Sequence, residues 1–284
     1  MSFNNLGKVF RYVNANGESV VFLYDHGYLI NKPKGIDAVS VKLSAAQGIN
    51  QVGSTVESAT VQPRPVTISG IVCGPDQEAR KDVLMSVVRP DIPGKLFADD
   101  YFLDVNVTET PTIEARKKCA NFQFSLSAAY PYWQKAEKVA MSLFGVEKMF
   151  KFPWNISRAY QFGQLQEAQF MNLVNNGQLP VPFTATFTAA DTVENPKITN
   201  IQTGDFLQIN KTLEPGETVV VENTHGKTYV TSSVDGSIRG ALDFDSTLFR
   251  LSVGDNVLKP EAVSGLAQLD VQITFATEKT GVTV

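Results

Sequence analysis

The chain offers only two histidines, His26 and His225, for acid–base or nucleophilic catalysis. Each lies in a short stretch with a glycine, YDHGY for the first and ENTHGKT for the second. A serine–histidine–aspartate triad needs a histidine that an acid holds beside a nucleophile, whereas a glycine-bearing turn leaves a histidine in solvent. Two histidines so far apart in sequence also make a poor metal set. We therefore expect both to be exposed turn residues and not catalytic groups or metal ligands.

Two acidic pairs, Asp99 with Asp100 and Asp243 with Asp245, are candidates for the two carboxylates of glycoside hydrolysis. That chemistry needs the carboxylates several ångströms apart across a cleft. The first pair falls between GKLFA and YFLDV, and the second lies next to another turn signal. Aspartate is common in turns because its side chain bonds to nearby backbone groups. We interpret both pairs as turn residues.

The motif HGKT at residues 225–228 resembles the end of a phosphate-binding loop. The full pattern has a glycine five positions before Gly226, where this chain has Val221, and it continues into a helix. Here strand-like TYVTSS follows, so we predict a hairpin turn between VVVEN and KTYV. No catalytic constellation then remains, and we predict that the chain is not an enzyme and carries no cofactor and no metal.

Length and charge narrow the function classes further. The chain has 284 residues, enough for two cores, and a formal net charge of −4 with a pI of about 5.3. That balance argues against a nucleic-acid-binding surface over the whole chain. No apolar run is long enough to predict a membrane span, and the N-terminal MSFNNLGKVF lacks the features of a secretory signal.

The two cysteines, Cys73 and Cys119, suit neither a disulfide framework nor a zinc site in their count and spacing. Buried free thiols are common in proteins of reducing compartments. We therefore expect two reduced, mostly buried thiols and a protein made in a reducing cytosol.

Strand and helix patterns organise the first half of the chain. KVFRYVN and SVVFLY flank Asn16-Gly17, a strong signal for a hairpin. VTISGIV at 66–72 predicts a strand, and GKLFADD with YFLDVNV predicts a second hairpin. Between them, DQEARKDVLMSVVRP has apolar residues at helical spacing, with Pro75 suited to the first turn and Pro90 after the end, so one helix is predicted.

Residues 47–65, QGINQVGSTVESATVQPRP, are the least core-like part of this half. The segment is polar, contains two glycines and ends in Pro63 and Pro65, yet its middle has β-branched residues at intervals. It follows IDAVSVKLS at 36–44, which alternates like a half-buried strand. We predict an extended loop or a long protruding hairpin, and long loops in compact domains are commonly functional.

The stretch FQFSLSAAYPYW at 122–133 ends the first half. Its alternation predicts a half-buried strand, which Pro131 ends because proline cannot donate to a sheet ladder, and the neighbouring rings are expected to cap the domain edge. Short strand-like segments separated by glycine and proline turn signals follow, as is typical of a β-sandwich or jelly roll. The sequence thus predicts a mainly β protein, with an α+β domain at 1–137 and an all-β domain at 138–284.

The order of these features resembles the distal tail proteins (Dit) of long-tailed, non-contractile bacteriophages. In the first half, an opening hairpin, a long polar segment, RPVTISGIVCG, ARKDVLMSVVRP, YFLDVNV and FQFSLSAAYPYW follow in that order. In the second half, NNGQLPVPFTATFTA, NPKITNIQTGDFLQINKTLEPGETVVVENTHGKTYV and FRLSVGDN resemble the C-terminal galectin-like β-sandwich of the family. The resemblance covers nearly the whole chain.

The resemblance implies a structural hub in the virion, at the tip of a phage or prophage tail. Family members form homohexameric rings made by their N-terminal halves, with one face on the tail-tube protein and the other on the tail-associated protein. The C-terminal sandwiches project outward and sometimes carry receptor-binding proteins, and DNA passes through the ring without specific binding. Synthesis and assembly would take place in the bacterial host cytoplasm.

In family terms, residues 47–65 match a protruding hairpin that clasps the next subunit as a belt. A strand-like arm laid on a neighbour gains affinity from main-chain hydrogen bonds, and a head-to-tail contact makes a ring when its rotation closes. The resemblance assigns an oligomer-interface role to Gln51, Val52, Ser54, Thr55, Val56, Glu57, Thr60 and Val61.

A carbohydrate-binding module is the alternative function, because a galectin-like sandwich can hold sugar. Ligand sites of this kind combine aromatic rings with a few polar groups that fix orientation. The only tryptophans, Trp133 and Trp154, precede the main body of the second domain, and none lies within residues 180–284. That placement favours a structural role over a lectin, and the turn-located acids argue against a glycosidase or peptidase.

Overall fold

The computed structural model describes residues 7–115, 119–142, 146–147, 164–165, 170–224 and 227–283. The chain divides into two compact units: unit 1 runs to Glu137 and also includes the last segment from Glu278, and unit 2 is Lys138–Thr277. The sequence prediction placed that last segment in the second domain. The structure differs because the short strand Glu278–Lys279 pairs with the strand Trp133–Lys135 of unit 1.

Unit 1 is built on one large antiparallel sheet. Its elements are β1 (Phe10–Asn14), β2 (Ser19–Phe22), the 3-10 helix η1 (Tyr24–His26), β3 (Tyr28–Ile30), β4 (Val41–Ala46), β5 (Thr55–Val61), β6 (Arg64–Cys73), α1 (Gln77–Val87), β7 (Gly94–Ala98), β8 (Tyr101–Ala115), β9 (Cys119–Ala128), β10 (Trp133–Lys135) and β25 (Glu278–Lys279). The main sheet has nine strands in the order β2-β1-β7-β8-β9-β6-β3, with β10 pairing to both β8 and β25. The strands β4 and β5 form a separate two-stranded hairpin.

Turn chemistry explains the two hairpins predicted in unit 1, and both are confirmed. Gly17 has a φ of 85°, as the Asn-Gly turn between β1 and β2 requires. The Asn14 side chain accepts hydrogen bonds from two N–H groups of the same turn. Between β7 and β8, Asp99 has a φ of 50° and its carboxylate accepts a hydrogen bond from the Val9 N–H at 2.9 Å. Asp99 is therefore a turn residue, as predicted.

The predicted helix is confirmed as α1. It buries Leu84 and Val87, which join the core of unit 1, and it ends before Pro90 as the sequence indicates. The hydroxyl of Tyr28 in β3 donates to the Arg80 carbonyl oxygen at 2.8 Å. This bond ties the helix to the edge strand of the main sheet.

The stretch at 122–133 contributes buried side chains to the core of unit 1. Strand β9 alternates as predicted, with every second residue from 120 to 128 buried. After that strand ends, Trp133 is fully buried and donates its indole N–H to the Ile36 carbonyl oxygen at 3.1 Å. The expectation that the rings after Pro131 cap the domain edge is therefore corrected for Trp133, which fills the interior.

Cys73 and Cys119 form a disulfide in unit 1, which corrects the expectation of two reduced thiols. The two residues are a direct register pair of β6 and β9, with Cα atoms 4.5 Å apart. Such a separation is typical of a close antiparallel pair and lies within the range that a disulfide can bridge. The sequence gives no signal for this bond, because only strand register brings together two residues 46 positions apart.

Unit 2 is a β-sandwich. Its elements are β11 (Val139–Ser142), β12 (Val146–Glu147), β13 (Gln164–Leu165), β14 (Met171–Asn175), β15 (Phe183–Ala189), β16 (Val193–Glu194), β17 (Lys197–Asn200), β18 (Phe206–Gln208), β19 (Thr212–Leu213), β20 (Thr218–Thr224), β21 (Lys227–Ser232), β22 (Gly236–Ser237), η2 (Arg239–Ala241), β23 (Gly254–Glu261), η3 (Leu266–Gln268) and β24 (Leu269–Phe275). One sheet has the order β11-β24-β15-β20-β21-β22 and the other β14-β23-β17-β18. Buried residues of both sheets, among them Phe187, Ile273 and Leu258, form one core. The predicted mainly β fold is confirmed.

A buried acid organises one turn of unit 2. The Glu217 side chain is 0% exposed and pairs with the Lys211 ammonium. It also accepts hydrogen bonds from the Ser232 hydroxyl and from the Glu214 N–H. Burial raises the pKa of Glu217, but the hydrogen bonds from Lys211 and Ser232 outweigh burial, and the net pKa lies below its ordinary value.

Candidate assembly surface

The β4–β5 hairpin stands apart from the main sheet of unit 1 with no buried residue in either strand. Leu43 is 58% exposed and Ile49, at the tip, is 98% exposed. An isolated two-stranded hairpin is marginally stable in water because it has nothing against which to bury an apolar face. The apolar side chains of this element therefore lie in solvent in the single chain.

A β-bulge gives the hairpin one apolar and one polar face. Paired residues share a face. The apolar face consists of the pairs Val41↔Val61, Leu43↔Ala59 and Ala45↔Val56, and the polar face of Lys42↔Thr60, Ser44↔Ser58 and Ala46↔Thr55. The register shifts between Ser44 and Ala45, which makes Glu57 the extra residue of the bulge. Without this shift Glu57 would be the partner of Ala45, so the bulge keeps the apolar face continuous and sets one acid beside it.

The tip of the hairpin is ordered by the side chain of Gln51. Its Oε1 accepts a hydrogen bond from the Gly48 N–H at 2.9 Å, and its Nε2 donates to the Thr55 hydroxyl at 3.0 Å. The turn thereby holds Ile49 and Val52 in solvent, where both are fully or almost fully exposed.

The base of the hairpin is fixed by one backbone bond and by a buried arginine. The Gln62 N–H donates to the Ser40 carbonyl oxygen at 2.9 Å, which closes the two strands. Arg64, two residues later, is 2% exposed, and burial lowers the pKa of its guanidinium while Asp37 opposes that shift. The guanidinium donates to four backbone carbonyl oxygens, those of Gly35, Ile36, Pro131 and Thr280.

The protruding segment predicted at 47–65 is thus a hairpin, but its bounds differ from the prediction. Residues 64–65 begin the core strand β6, and residues 41–46 form the first strand of the hairpin. The alternation of VKLSAA arises from an exposed strand with one apolar face, whereas the sequence suggested a half-buried strand of the domain.

All residues that the resemblance assigned to the oligomer interface lie on this hairpin and are exposed. Gln51, Val52 and Ser54 lie at the tip, and Thr55, Val56, Glu57, Thr60 and Val61 lie in β5. Their role in an interface stays a prediction. The sequence prediction missed the apolar residues of β4, Val41, Leu43 and Ala45, because their period of two was attributed to the core.

The other candidate residues do not assemble into a catalytic or metal site in the described part of the chain. His26 is exposed in η1. Asp243 accepts a hydrogen bond from the Asp245 N–H at 2.9 Å and so stabilises its own turn. Within the described ranges there is no group of three or more metal-ligating side chains. The helices of that part are all too short or too polar to span a membrane.

Two sequence predictions fall partly on residues outside the described ranges. The hairpin around HGKT is formed by β20 and β21, paired up to Thr224 and Lys227, while His225 and Gly226 themselves are not described. Trp154 also lies outside the described residues. Trp133 is fully buried, so its ring offers no face to a sugar.

Comparison with protein families gives a match in the second unit. A family model described as "Siphovirus-type tail component, C-terminal domain" matches residues 176–278, which lie almost entirely in unit 2. No curated protein sequence matches the chain.

Comparison with solved structures covers the whole chain. The crystal structure of the Dit (gp 19.1) protein of phage SPP1, described as a paradigm of the hub adsorption apparatus in phages that infect Gram-positive bacteria, gives a TM-score of 0.68 at 13% identity. That match covers 95% of this chain and 99% of the SPP1 chain. A chain of the phage P2 baseplate in its activated conformation with Ca gives a TM-score of 0.50 at 10% identity, covering 97% of this chain and 99% of that one. At these identities the likeness is one of fold.

Proposed function

We propose that the chain is a distal tail protein of the siphovirus type and that it forms the structural hub of a tail tip. The match of the tail-component family model to residues 176–278 and the fold shared with the SPP1 Dit protein support this proposal. In this proposal it is a homohexameric ring that joins the tail tube to the tail-associated protein and to receptor-binding proteins. It acts in the virion and is made and assembled in the host cytoplasm. Unit 2, as a galectin-like sandwich, projects from the ring, and DNA passes through the ring without specific binding.

The observation that carries the proposal is the uncovered apolar face of the β4–β5 hairpin. Six apolar residues on one side of an otherwise solvent-exposed ribbon cost free energy in a monomer and gain it when they are buried. A structured tip and a buried anchor at Arg64 make the hairpin an arm of defined direction. Such an arm is suited to holding an adjacent subunit.

A closed ring follows if the arm of each copy binds the next copy in the same way. A contact between two different surfaces of one chain is heterologous, and it generates a ring when the rotation between subunits closes. The number of six subunits rests on the family resemblance. The net charge of −4 is consistent with a channel through which DNA slides.

The test is removal of the arm without disturbance of unit 1. Residues 41–61 are replaced by Asn-Gly, because the Gln62 N–H already bonds to the Ser40 carbonyl oxygen and a two-residue turn can close that pair. A deletion of 47–65 would be unsuitable, since it removes buried Arg64. We expect a folded monomer that no longer forms rings. A variant that assembles like the wild-type chain would refute the role of the arm.

A further inference from the structure

The outer face of the main sheet in unit 1 has two halves that differ in composition. Over β6 and β9 it is polar, with Thr67 paired to Ser125 and Ser69 paired to Gln123. That is the usual composition of a sheet face in water. Over β1, β7 and the first residues of β8 the same face carries Val13, Phe97 and Phe102 together with the charged Arg11, Lys95 and Asp104. The second half therefore differs from the first by two aromatic rings that are partly exposed in the single chain.

The aromatic half is a row of directly paired residues that crosses five strands. We call this set the aromatic row; it consists of Val21, Arg11, Phe97, Phe102 and Gln134. The Arg11 guanidinium carbon lies 4.5 Å from the centroid of the Phe97 ring. The ring centroids of Phe97 and Phe102 are 5.8 Å apart, and both residues are only half-buried.

The aromatic row carries a cation and the hairpin carries an anion, and neither has an ion-pair partner in the described part of the chain. Arg11 is exposed, and its contact within the described residues is the Phe97 ring, with no carboxylate within ion-pair distance. Glu57, the bulge residue beside the apolar face, likewise has no cation within that distance in the described part of the chain. The neighbouring cation Lys95 lies over the Phe102 ring, 4.1 Å from its centroid, and is already paired with Asp104 at 2.5 Å.

We propose that the aromatic row is the surface on which the β4–β5 hairpin of the adjacent copy lies. The apolar face of the hairpin contacts the row, and Glu57 pairs with Arg11. This inference rests on the proposed ring and names the acceptor surface within it. The occupant is a second copy of this chain, because the apolar face of the hairpin and Glu57 complement the rings of Phe97 and Phe102 and the cation of Arg11, which has no ion-pair partner in the described part of the chain.

The bulge favours contact through the face of the hairpin over pairing along its edge. A bulge interrupts the ladder and discourages edge-to-edge pairing, whereas here it restores the continuity of the apolar face. The dimensions also agree. The six residues of β4 extend about 20 Å, and the four strand spacings of the row span about 19 Å.

A groove beside the row provides space for hairpin side chains. It has a volume of about 500 Å³ and is lined in part by Arg11, Val13, Pro93 and Phe97. Leu43 projects from the apolar face of the hairpin, and a side chain of its size fits into part of this groove. Packing into such a groove gives the affinity, and the Glu57–Arg11 pair sets the register of the arm.

The experiment exchanges the two charges. Arg11→Glu and Glu57→Arg are made singly and together in the full chain, and assembly is followed by light scattering over a range of protein concentrations. Each single substitution should raise the concentration needed for assembly about tenfold or more, because it sets like charges against each other. The double variant should return to within about threefold of the wild-type chain, since the pair is restored with reversed sign.

Matched controls carry the same charge changes elsewhere on the same elements. Lys42→Glu changes a charge on the polar face of the hairpin, and Glu114→Arg changes one on the polar half of the sheet. Neither should affect assembly, and all variants should keep the wild-type circular dichroism spectrum.

The outcomes separate this inference from the proposed function. If the wild-type chain assembles and removal of residues 41–61 prevents assembly, but the double charge exchange restores nothing, the ring stands and the aromatic row is not the acceptor. If the wild-type chain stays monomeric at every concentration, the proposed ring fails and this inference fails with it. Rescue by the double variant supports both.

Discussion

Arg64 donates a hydrogen bond from Nε to the Pro131 carbonyl oxygen at 2.6 Å, and so joins the end of the exposed hairpin to the segment that follows β9. The same guanidinium bonds to the chain segment at 35–36 and to the last segment of the chain. Three separate parts of unit 1 therefore meet at one side chain. The direction of the hairpin depends on this contact because Arg64 comes three residues after β5.

Replacement of Arg64 should destabilise unit 1 by about 2–4 kcal/mol, since four buried or part-buried carbonyl oxygens lose the hydrogen bond from its guanidinium. Arg64→Lys should lose nearly as much as Arg64→Met, because an ammonium cannot reproduce the planar fork. Denaturant unfolding is followed by the fluorescence of Trp133 in a Trp154→Phe background, which leaves one tryptophan. The exposed Arg11→Met is the control and should change stability little. Full stability of Arg64→Lys would show that the charge, and not the fork, is what matters.

The disulfide between Cys73 and Cys119 should stabilise unit 1 by about 2–4 kcal/mol, because it closes a loop across 46 positions in the unfolded chain. Reduction, or the double substitution of both cysteines by serine, should lower the denaturant midpoint of unit 1. Labelling of the unreduced protein with iodoacetamide should find no free thiol, and labelling after reduction should find two. Two reactive thiols in the unreduced protein would contradict the bond.

Glu217 should make the stability of unit 2 dependent on pH. Its pKa in the folded protein lies below the ordinary value of about 4.5, so its contribution is present above that value and is lost as pH falls through the lower folded pKa. Glu217→Gln should cost about 2–3 kcal/mol near neutral pH, because a buried Lys211–Glu217 pair is broken. The difference between variant and wild type should shrink as pH falls from the ordinary value of about 4.5 through the lower folded pKa. A difference that stays constant to low pH would contradict the shift.

The apolar face of the hairpin should be needed for assembly and not for folding. Leu43→Asp puts a charge on that face, where it opposes burial against a neighbour. We expect loss of assembly with an unchanged unfolding midpoint, because Leu43 is 58% exposed in the single chain. Ser44→Asp, on the polar face of the same strand, is the matched control and should assemble normally. Equal loss in both variants would show that the two faces do not differ in function.

Local chemistry made several parts of the fold predictable. The Asn16-Gly17 turn, the Asp99 turn and the helix Gln77–Val87 each follow from residues close in sequence, and each is present in the structure. The alternation of β9 is of the same kind. The mainly β class follows from many short strand patterns separated by turn signals.

Distant contacts account for what the sequence could not show. The Cys73–Cys119 pairing depends on the register of β6 and β9, and the return of residues 278–279 to unit 1 depends on pairing with β10. The apolar face of the hairpin depends on one unpaired residue, Glu57, whose effect appears only when β4 and β5 are aligned. Arg64 lies in a polar segment, so the sequence predicts an exposed side chain. Its burial is explained by the four carbonyl oxygens to which it donates.

The most direct test of the central claim is the native mass of the purified full chain by light scattering after size exclusion, with negative-stain images of the same peak. We predict a particle of six times the chain mass of 31.1 kDa, seen as a ring with a central hole. A chain that remains monomeric at every concentration would contradict the ring. It would also leave the apolar face of the hairpin without the partner that the account assigns to it.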